Sequence, residues 1–300
     1  MKLNLSKLEI LALQRLCGQE YAAGALSSAL GVKKSFFSRL LKGLTEKGLV
    51  LTEKQGTEKL IRLSPASHAQ SFMKLYHTRP NARIEHWLSG RSIELLIVVA
   101  SSGEGADTKL ILEECVCSRQ TAYKIIRLLM GAGVISRNTE KGRIKITDSY
   151  VGDFASAYAD NIQLLMQKEA KGFNVSVRVR KHVVLRTDAK DVPPYFSETG
   201  INALAKSGLE ANLTSYSDYY FNLDGKKRDI SLEEAFAHAM LLSTLPQHVD
   251  KPLLKIFYSK NKRKMNPRTL NTLAKRYLVM GIFDEIRRAA EDYEKMRDAV

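Results

Sequence analysis

The sequence has few cysteines and no long apolar run. Three cysteines in 300 residues, two of them only two positions apart, cannot form the disulfide framework of a small secreted domain. Cys17, Cys115 and Cys117 are therefore expected to be buried free thiols, with a redox switch as the alternative. No apolar stretch approaches the roughly 18 residues of a membrane span, and the N-terminus has no apolar core of signal-peptide length. We expect a cytoplasmic protein with no membrane partner.

Motifs for catalysis and metal binding are also missing. The six histidines are scattered, with no paired spacing on one helix that would bind a metal. Gly103-Glu104-Gly105 lacks the lysine and the preceding strand of a phosphate-binding loop, and His238 is expected to be a hydrogen-bonded core residue. Asp218, Asp224 and Asp229 fall at a strand, a turn and a loop, so a nucleic-acid-processing enzyme would need carboxylates that the sequence does not place together. We predict no enzyme, no catalytic residue, no metal site and no cofactor.

Charge is what the sequence has in excess. The net charge is +15 and the isoelectric point is near 9.6. Residues 1–150 hold 23 Lys and Arg against 13 Asp and Glu, whereas residues 151–300 hold 24 against 19. Two thirds of the positive excess therefore lies in the first half. This favours a partner with a phosphate backbone, although a basic surface that only aids solubility is the alternative.

The basic half contains a recognisable pattern between Leu26 and Leu63. One helical face is apolar, at Val32, Phe37, Leu40, Leu41 and Leu44. The opposite face is cationic and rich in hydroxyls, at Lys34, Ser35, Ser38, Arg39 and Lys42. Gly48 can end this helix, and two β-type runs, 49–52 and 59–63, follow around a turn at 53–57. The order predicts a winged helix-turn-helix, whose second helix suits the DNA major groove.

The pattern occurs a second time about 85 residues later. Residues 38–42 lie over 123–127, Gly48-Leu49-Val50 over Gly133-Val134-Ile135, and Leu60-Ile61 over Lys145-Ile146, with no gap between these points. Two copies indicate a tandem pair of domains rather than a solenoid, which needs three or more units.

The predicted fold class is mainly α with small β wings (α+β). We expect winged helix domains at 1–78 and 83–150, a connecting helix at 151–172 and a mixed α/β C-terminal domain at 173–300. The second winged helix domain is expected to open with a helix from Ile84 to Ala100, whose apolar stripe is Trp87, Leu88, Leu95, Leu96 and Val99. The long helix after the second wing predicts either a homodimer interface or a plain connection to the last domain.

Candidate DNA-binding residues follow from the two exposed helix faces and the wings. Arg39 could read guanine bidentately and Phe36 a thymine methyl, while Gln120 suits adenine and Arg119 or Arg127 guanine or phosphate. The helix candidates are Lys33, Lys34, Ser35, Phe36, Ser38, Arg39 and Lys42, then Ser118, Arg119, Gln120, Thr121, Tyr123, Lys124 and Arg127. The wing candidates are Lys54, Lys59, Lys141 and Arg143. The alternatives are a solvated basic face on a protein-binding domain and a second copy kept for packing.

Two resemblances extend this interpretation. Residues 26–63, with VKKSFFSRLL and the ending EKGLV, resemble the MarR-type winged helix. Residues 183–290 resemble the C-terminal domain of the AbiEi family of abortive-infection antitoxins, through YFSETGINAL at 195–204, SGL at 207–209, RDISLEEA at 228–235 and MNPRTL at 265–270. The resemblance implies a winged helix joined to that domain, repression of the protein's own operon and a nucleotidyltransferase-like toxin as partner. This chain departs from the family in having two winged domains.

The sequence thus predicts a sequence-specific, double-stranded DNA-binding transcriptional regulator. The alternative is an antitoxin whose C-terminal domain binds a toxin and whose DNA binding serves autoregulation. A basic cluster at Lys260–Lys264 is a solvated surface, a third nucleic-acid contact or a patch for an acidic partner.

Overall fold

The computed structural model describes residues 3–138, 142–209, 215–245 and 251–298, without the side chains of 293, 294 and 296–298. It combines many helices with small antiparallel sheets, in agreement with the predicted α+β class. The chain divides into two compact units, Met1–Leu165 and Met166–Val300. The finer domain boundaries near residues 80 and 172 stay predictions.

The first unit contains two copies that share an order of three helices, a β-hairpin and a fourth helix. Copy 1, from Leu3 to Arg79, has α1 (Lys7–Leu16), β1 (Tyr21–Ala22), α2 (Ala23–Ala29), α3 (Lys34–Glu46), β2 (Val50–Gln55), β3 (Glu58–Leu63) and α4 (Ser67–Thr78). Copy 2, from Ile84 to Leu165, has α5 (Ile84–Trp87), α6 (Ser92–Ala100), α7 (Thr108–Cys115), α8 (Arg119–Gly131), β4 (Ile135–Arg137), β5 (Ile144–Ile146) and most of α9 (Ser149–Lys168). Copy 2 has an additional short helix at its start, and an isolated bridge at Ala106 stands in place of the short first strand of copy 1. Helices α3 and α8 begin and end 85 residues apart.

The ends of α3 and α8 are built alike. Gly48 and Gly133 both have positive φ, +67° and +66°, and the following amides, Leu49 and Val134, donate back to the carbonyls of Leu44 and Leu129. This is the left-handed helix ending for which glycine is suited. The predicted repeat is therefore real in the backbone up to the start of each hairpin.

The predicted alignment of the two copies is wrong within the hairpins. Ile61 pairs with Tyr21, and its counterpart is Ile144, which bridges to Ala106. Leu60-Ile61 therefore does not match Lys145-Ile146 as predicted, because the second hairpin is two residues shorter. The first hairpin is also longer than predicted, since most of the expected turn at 53–57 belongs to β2.

A second correction concerns the first helix of copy 2. The predicted continuous helix from Ile84 to Ala100 is two helices, α5 and α6, interrupted at Gly90. Gly90 has a φ of +67°, and its amide donates to the carbonyl of Leu5 at 2.7 Å. Trp87, the only tryptophan of the chain, lies on α5 and is 4% exposed where α5 packs against α1 and α8.

The two copies meet through equivalent residues. Leu5 forms an antiparallel bridge with Gly90, 85 positions later. Phe72, the sixth residue of α4, packs edge-on against Phe154, the sixth residue of α9, with ring centroids 5.5 Å apart. A residue can touch its own counterpart in this way only close to an approximate two-fold axis.

Contacts away from this axis are reciprocal. Asn161 of α9 donates to the carbonyl of Lys47, at the end of α3, at 2.9 Å. Arg79, after α4, donates to the carbonyl of Ala132, at the end of α8, at 3.0 Å. In each case the chain after one hairpin holds the end of the other copy's basic helix. Such exchange is the property of a two-fold interface.

The second unit is an antiparallel sheet covered by helices. Its elements are β6 (Asn174–Val179), β7 (His182–Thr187), β8 (Ser197–Glu198), α10 (Gly200–Lys206), β9 (Ser217–Asn222), α11 (Leu232–Leu242), α12 (Lys251–Asn261), a 3-10 turn (Lys262–Lys264), α13 (Pro267–Arg276) and α14 (Met280–Asp298). The strand order is β6-β7-β9-β8. Helix α11 packs on the sheet and on α10, α12 and α13, so it lies at the centre of this core.

The turn between α7 and α8 departs from the repeat. In copy 1 the corresponding turn has Gly31 at a φ of +65°. In copy 2 the equivalent residue is Val116, a β-branched residue at a φ of +45° whose side chain is 72% exposed. A valine in this region is strained. The guanidinium of Arg91 donates to the carbonyls of Cys115 and Val116 and holds the turn.

Relief of this strain is testable. We expect Val116→Gly to raise the free energy of unfolding by about 1 kcal/mol, because the strain exceeds the entropy that glycine adds to the unfolded chain. The reciprocal change, Gly31→Val, should lower it by about 1–3 kcal/mol, although a Cβ there meets open space. Urea unfolding followed by circular dichroism measures both. A destabilised Val116→Gly variant would contradict the strain.

Candidate nucleic-acid interface

Helix α3 presents its polar face to solvent because its apolar residues form the core beneath it. Phe37, Leu40, Leu41 and Leu44 are buried, each 7% exposed or less. All the predicted contact residues of this helix are exposed, namely Lys33, Lys34, Ser35, Phe36, Ser38, Arg39 and Lys42. Among the described residues, no side chain caps the N-terminus of α3. Its first amide groups therefore add to the positive potential of Lys33 and Lys34.

Several of these side chains have local partners. Arg39 lies over the ring of Phe36, with 5.8 Å between the guanidinium carbon and the ring centroid, and Phe36 is 42% exposed. The Ser38 hydroxyl donates to the carbonyl of Lys34, and Lys42 lies 3.8 Å from Glu46. The Lys42 pair is solvent-exposed and therefore weak, so Lys42 can turn to another anion.

Helix α8 shows a similar face. Ser118 caps it by accepting from the amide of Thr121 and also contacts the Thr121 hydroxyl, so these two residues serve the helix start. Arg119 lies over the Tyr123 ring at 5.6 Å. The exposed predicted residues are Ser118, Arg119, Gln120, Thr121, Lys124 and Arg127, while Tyr123 is partly buried.

The ionisation of Tyr123 responds to its neighbours. A hydrogen bond with Arg119 and the positive charge of that guanidinium lower the pKa of Tyr123, and Arg137 adds to the effect. Positive charge favours the phenolate over the neutral phenol. Tyr123 therefore reports a concentration of cations at the solvent side of α8.

The two faces match in charge and differ elsewhere. Every cationic position that α3 exposes has a cationic counterpart on α8 at the same register, in the pairs Lys34 and Arg119, Arg39 and Lys124, and Lys42 and Arg127. Three other positions exposed on α3 correspond to unlike residues on α8, in the pairs Ser35 and Gln120, Phe36 and Thr121, and Ser38 and the partly buried Tyr123. Charge is thus the common property of the two helices.

The β2–β3 hairpin, which is the predicted first wing, carries two lysines near its tip. Lys54 and Lys59 stand directly opposite each other in the β2–β3 ladder, and both are exposed. Like charges in that position destabilise a hairpin, so a polyanion bound there would offset the repulsion.

The candidate residues of the β4–β5 hairpin, the predicted second wing, are less available for binding. Lys141 lies outside the described residues, and Arg143 is partly buried and paired with Glu104 at 2.5 Å. Arg137, which the sequence analysis did not select, is exposed on β4, and its Nε donates to the carbonyl of Gly142. Strand alternation from Ile135, a buried position, would place Arg137 on the same inner face, so this pattern could not have identified it.

Other reactive side chains are used internally. His238 is fully buried and hydrogen-bonded to Thr199 at 2.8 Å, which confirms its prediction as a core histidine. Burial lowers its pKa well below the usual value. Asp218 is 1% exposed and receives a bidentate bond from Arg186 at 2.7 and 2.9 Å. Within the described ranges, no group of three His, Cys, Asp or Glu residues could hold a metal ion.

Two of the motif residues behind the AbiEi resemblance, Phe196 and Gly200, serve packing. Phe196 stacks on Phe221 with ring centroids 4.6 Å apart. Gly200 has a φ of +57°, and a Cβ at that position would overlap the Asp218 carboxylate. These two residues pack around β9 and therefore bear on the fold of the second unit, whereas Asn266, Arg268 and Thr269 of the last motif are exposed.

The three cysteines are buried to different extents. Cys17 and Cys115 are buried and Cys117 is partly buried, all three as free thiols. Burial raises the pKa of Cys17 to about 12, so this thiol is unreactive at neutral pH. In the part of the chain that the structure describes, no helix is long and apolar enough to cross a membrane.

The link between Arg119 and Tyr123 makes a prediction. Arg119→Ala should raise the pKa of Tyr123 towards 10, because the cation that favours the phenolate is removed. Nuclear magnetic resonance of ¹³Cζ-labelled tyrosine across a pH series measures this, with Tyr123→Phe to assign the signal. Arg127→Ala, also exposed on α8, is the control and should leave the pKa nearly unchanged. An equal effect of both substitutions would contradict a specific pair.

Comparison with known proteins does not identify this chain: no protein-family model matches it, and no curated protein does either.

Proposed function

We propose that this protein is a sequence-specific, double-stranded DNA-binding transcriptional regulator. The observation that carries the proposal is the pair of 13-residue helices, α3 and α8, with cations at the same three registers on their exposed faces. A surface that served only solubility would not require cations at the same three positions of both helices, because charge anywhere on the surface has that effect. The residues between these positions differ in the two copies.

The order of elements supports a winged helix-turn-helix in each copy. In copy 1, α2 leads through a tight turn at Gly31 into α3, and the β2–β3 hairpin follows. β1 completes a three-stranded sheet of order β1-β3-β2. In this arrangement the second helix of the turn enters the major groove and the hairpin lies against the flanking backbone. Copy 2 has the corresponding helices, α7 and α8, followed by a shorter hairpin that forms a two-stranded sheet.

The chemistry of the face divides the expected contacts. Lysines on the helices and at the wing tip can neutralise phosphates of any sequence, which supplies affinity and a steep dependence on salt. Arg39 can bind the O6 and N7 atoms of guanine, and Phe36 beneath it can contact a thymine methyl group. Gln120 has the amide that suits adenine. Specificity is thus assigned to the residues between the lysines.

The second unit is proposed to bind a partner or effector. Its resemblance to AbiEi antitoxins keeps the toxin-binding antitoxin as the other proposal for the whole chain. Co-purification with a nucleotidyltransferase-like protein tests that alternative, and such a complex is compatible with autoregulatory DNA binding.

The first test compares the protein's own upstream DNA with random duplex, each across a salt series. The specific complex should be at least about 10³-fold tighter, and both complexes should weaken steeply as salt rises. Weak, equal binding to both duplexes would contradict the proposed regulator.

The role of Arg39 gives a sharper prediction. Arg39→Ala should weaken binding to the specific duplex by about 1–3 kcal/mol and relax the preference at one base pair, because a bidentate base contact is lost. Fluorescence anisotropy on duplexes with each single base change measures it. Lys74→Ala, an exposed lysine on α4, is the control and should change affinity little. Equal weakening on all sequences would assign Arg39 to a phosphate instead.

A further inference from the structure

We propose that one chain reads both halves of an inverted repeat in DNA, and that the two halves differ in sequence. This inference rests on the proposed function, because it concerns how α3 and α8 bind DNA together. Two independent observations carry it, the two-fold relation of the copies and the pattern of differences between α3 and α8.

The two-fold relation follows from contacts between equivalent residues. Leu5 bridges Gly90, and Phe72 packs on Phe154, each residue meeting its own counterpart in the other copy. Copies related by translation would instead bring different surfaces of each copy together. The exchanged contacts at the ends of α3 and α8, from Asn161 and Arg79, obey the same two-fold rule.

This symmetry selects the arrangement of the DNA site. A duplex has local two-fold axes perpendicular to its length, and dimeric helix-turn-helix proteins align their own axis with one of these. Their operators are therefore inverted repeats. Here the equivalent axis runs within a single chain, so α3 and α8 would meet the two half-sites in opposite orientations, and a direct repeat would not fit both.

The differences between the helices select the sequence of the site. Two of the shared cationic pairs, Lys34 with Arg119 and Lys42 with Arg127, would hold the phosphates of both halves in the same way, since phosphate contacts carry no sequence information. The unlike pairs lie where side chains reach base edges: Ser35 and Gln120, Phe36 and Thr121, Ser38 and Tyr123. Different side chains at one register read different bases. The halves should therefore be related in spacing and unlike in sequence.

The interior of the unit makes a second chain unnecessary. Val151, Phe154, Tyr158 and Ile162, on the apolar face of α9, are fully buried within one chain. Phe154 packs on α4 of copy 1, and the Tyr158 hydroxyl donates to the carbonyl of Leu3. The face expected for a homodimer is thus occupied by the chain's own first copy, which predicts one chain for each inverted repeat.

The experiment starts from selection of sites by the full-length protein from a random duplex library. The expected site is an inverted repeat with unlike halves, whose centres lie about one helical turn apart. Scrambling either half should weaken binding by about 100-fold or more, because the second contact is tethered to the first. Mass measurement of the complex should find one chain on each duplex.

A variant in which α3 and α8 have the same exposed residues then tests whether the two helices recognise different half-sites. It carries the α8 residues on α3 and at its N-cap: Lys33→Ser, Lys34→Arg, Ser35→Gln, Phe36→Thr, Ser38→Tyr, Arg39→Lys and Lys42→Arg, all at exposed positions. Selection with this variant should return a palindrome made of two copies of one original half. Lys34→Arg with Lys42→Arg alone is the control, and should keep the original site.

The outcomes separate this inference from the proposed function. Selection of a direct repeat, of a single half-site, or of a site bound by two chains would overturn the inference and leave DNA regulation standing. An unchanged site for the variant with identical faces would overturn it as well. Absence of any sequence-specific binding would overturn both.

Discussion

The first unit depends on one buried lysine. Lys47, at the end of α3, is 5% exposed, and its ammonium group donates to Glu9 at 2.5 Å and to the carbonyl of Asn4 at 2.9 Å. Its own carbonyl accepts from His68 and Asn161. Burial lowers the pKa of His68, so this ring is a neutral donor at pH 7. One residue therefore joins the N-terminus, α1, α4 and α9 to the basic helix. Loss of one partner of such a buried pair leaves an uncompensated charge, which costs about 3–5 kcal/mol.

How far the sequence could predict this unit follows from the range of each interaction. Helix α3, its glycine ending and its repeat 85 residues later are local patterns, and the structure has them where they were expected. The break at Gly90 depends on Leu5, distant in sequence, so periodicity alone extended the helix through it. The sequence comparison did not detect that the second hairpin is two residues shorter, because such short strands can be aligned equally well in more than one register. The exchanged contacts of Arg79 and Asn161 have no local pattern at all.

In the second unit, two residues of a sequence motif, Arg228 and Glu234, belong to a polar network inside the fold. A chain of buried polar groups runs from His182 to Tyr220, and Arg228 links that hydroxyl to Glu234, which also accepts from Tyr277. Burial raises the pKa of Tyr220 to about 12, so it stays neutral. A network of this kind specifies one arrangement of strands and helices when all its members are satisfied. Residues of such a core can resemble a family's motif while leaving the partner of that family undecided.

The position of Trp87 gives the molecule an internal reporter. The chain's single indole is buried in the first unit, whereas both units contain helices. Its fluorescence therefore follows the opening of one unit, and far-ultraviolet dichroism follows both. Curves that do not coincide would show two units unfolding separately, and each could then be assigned its own stability.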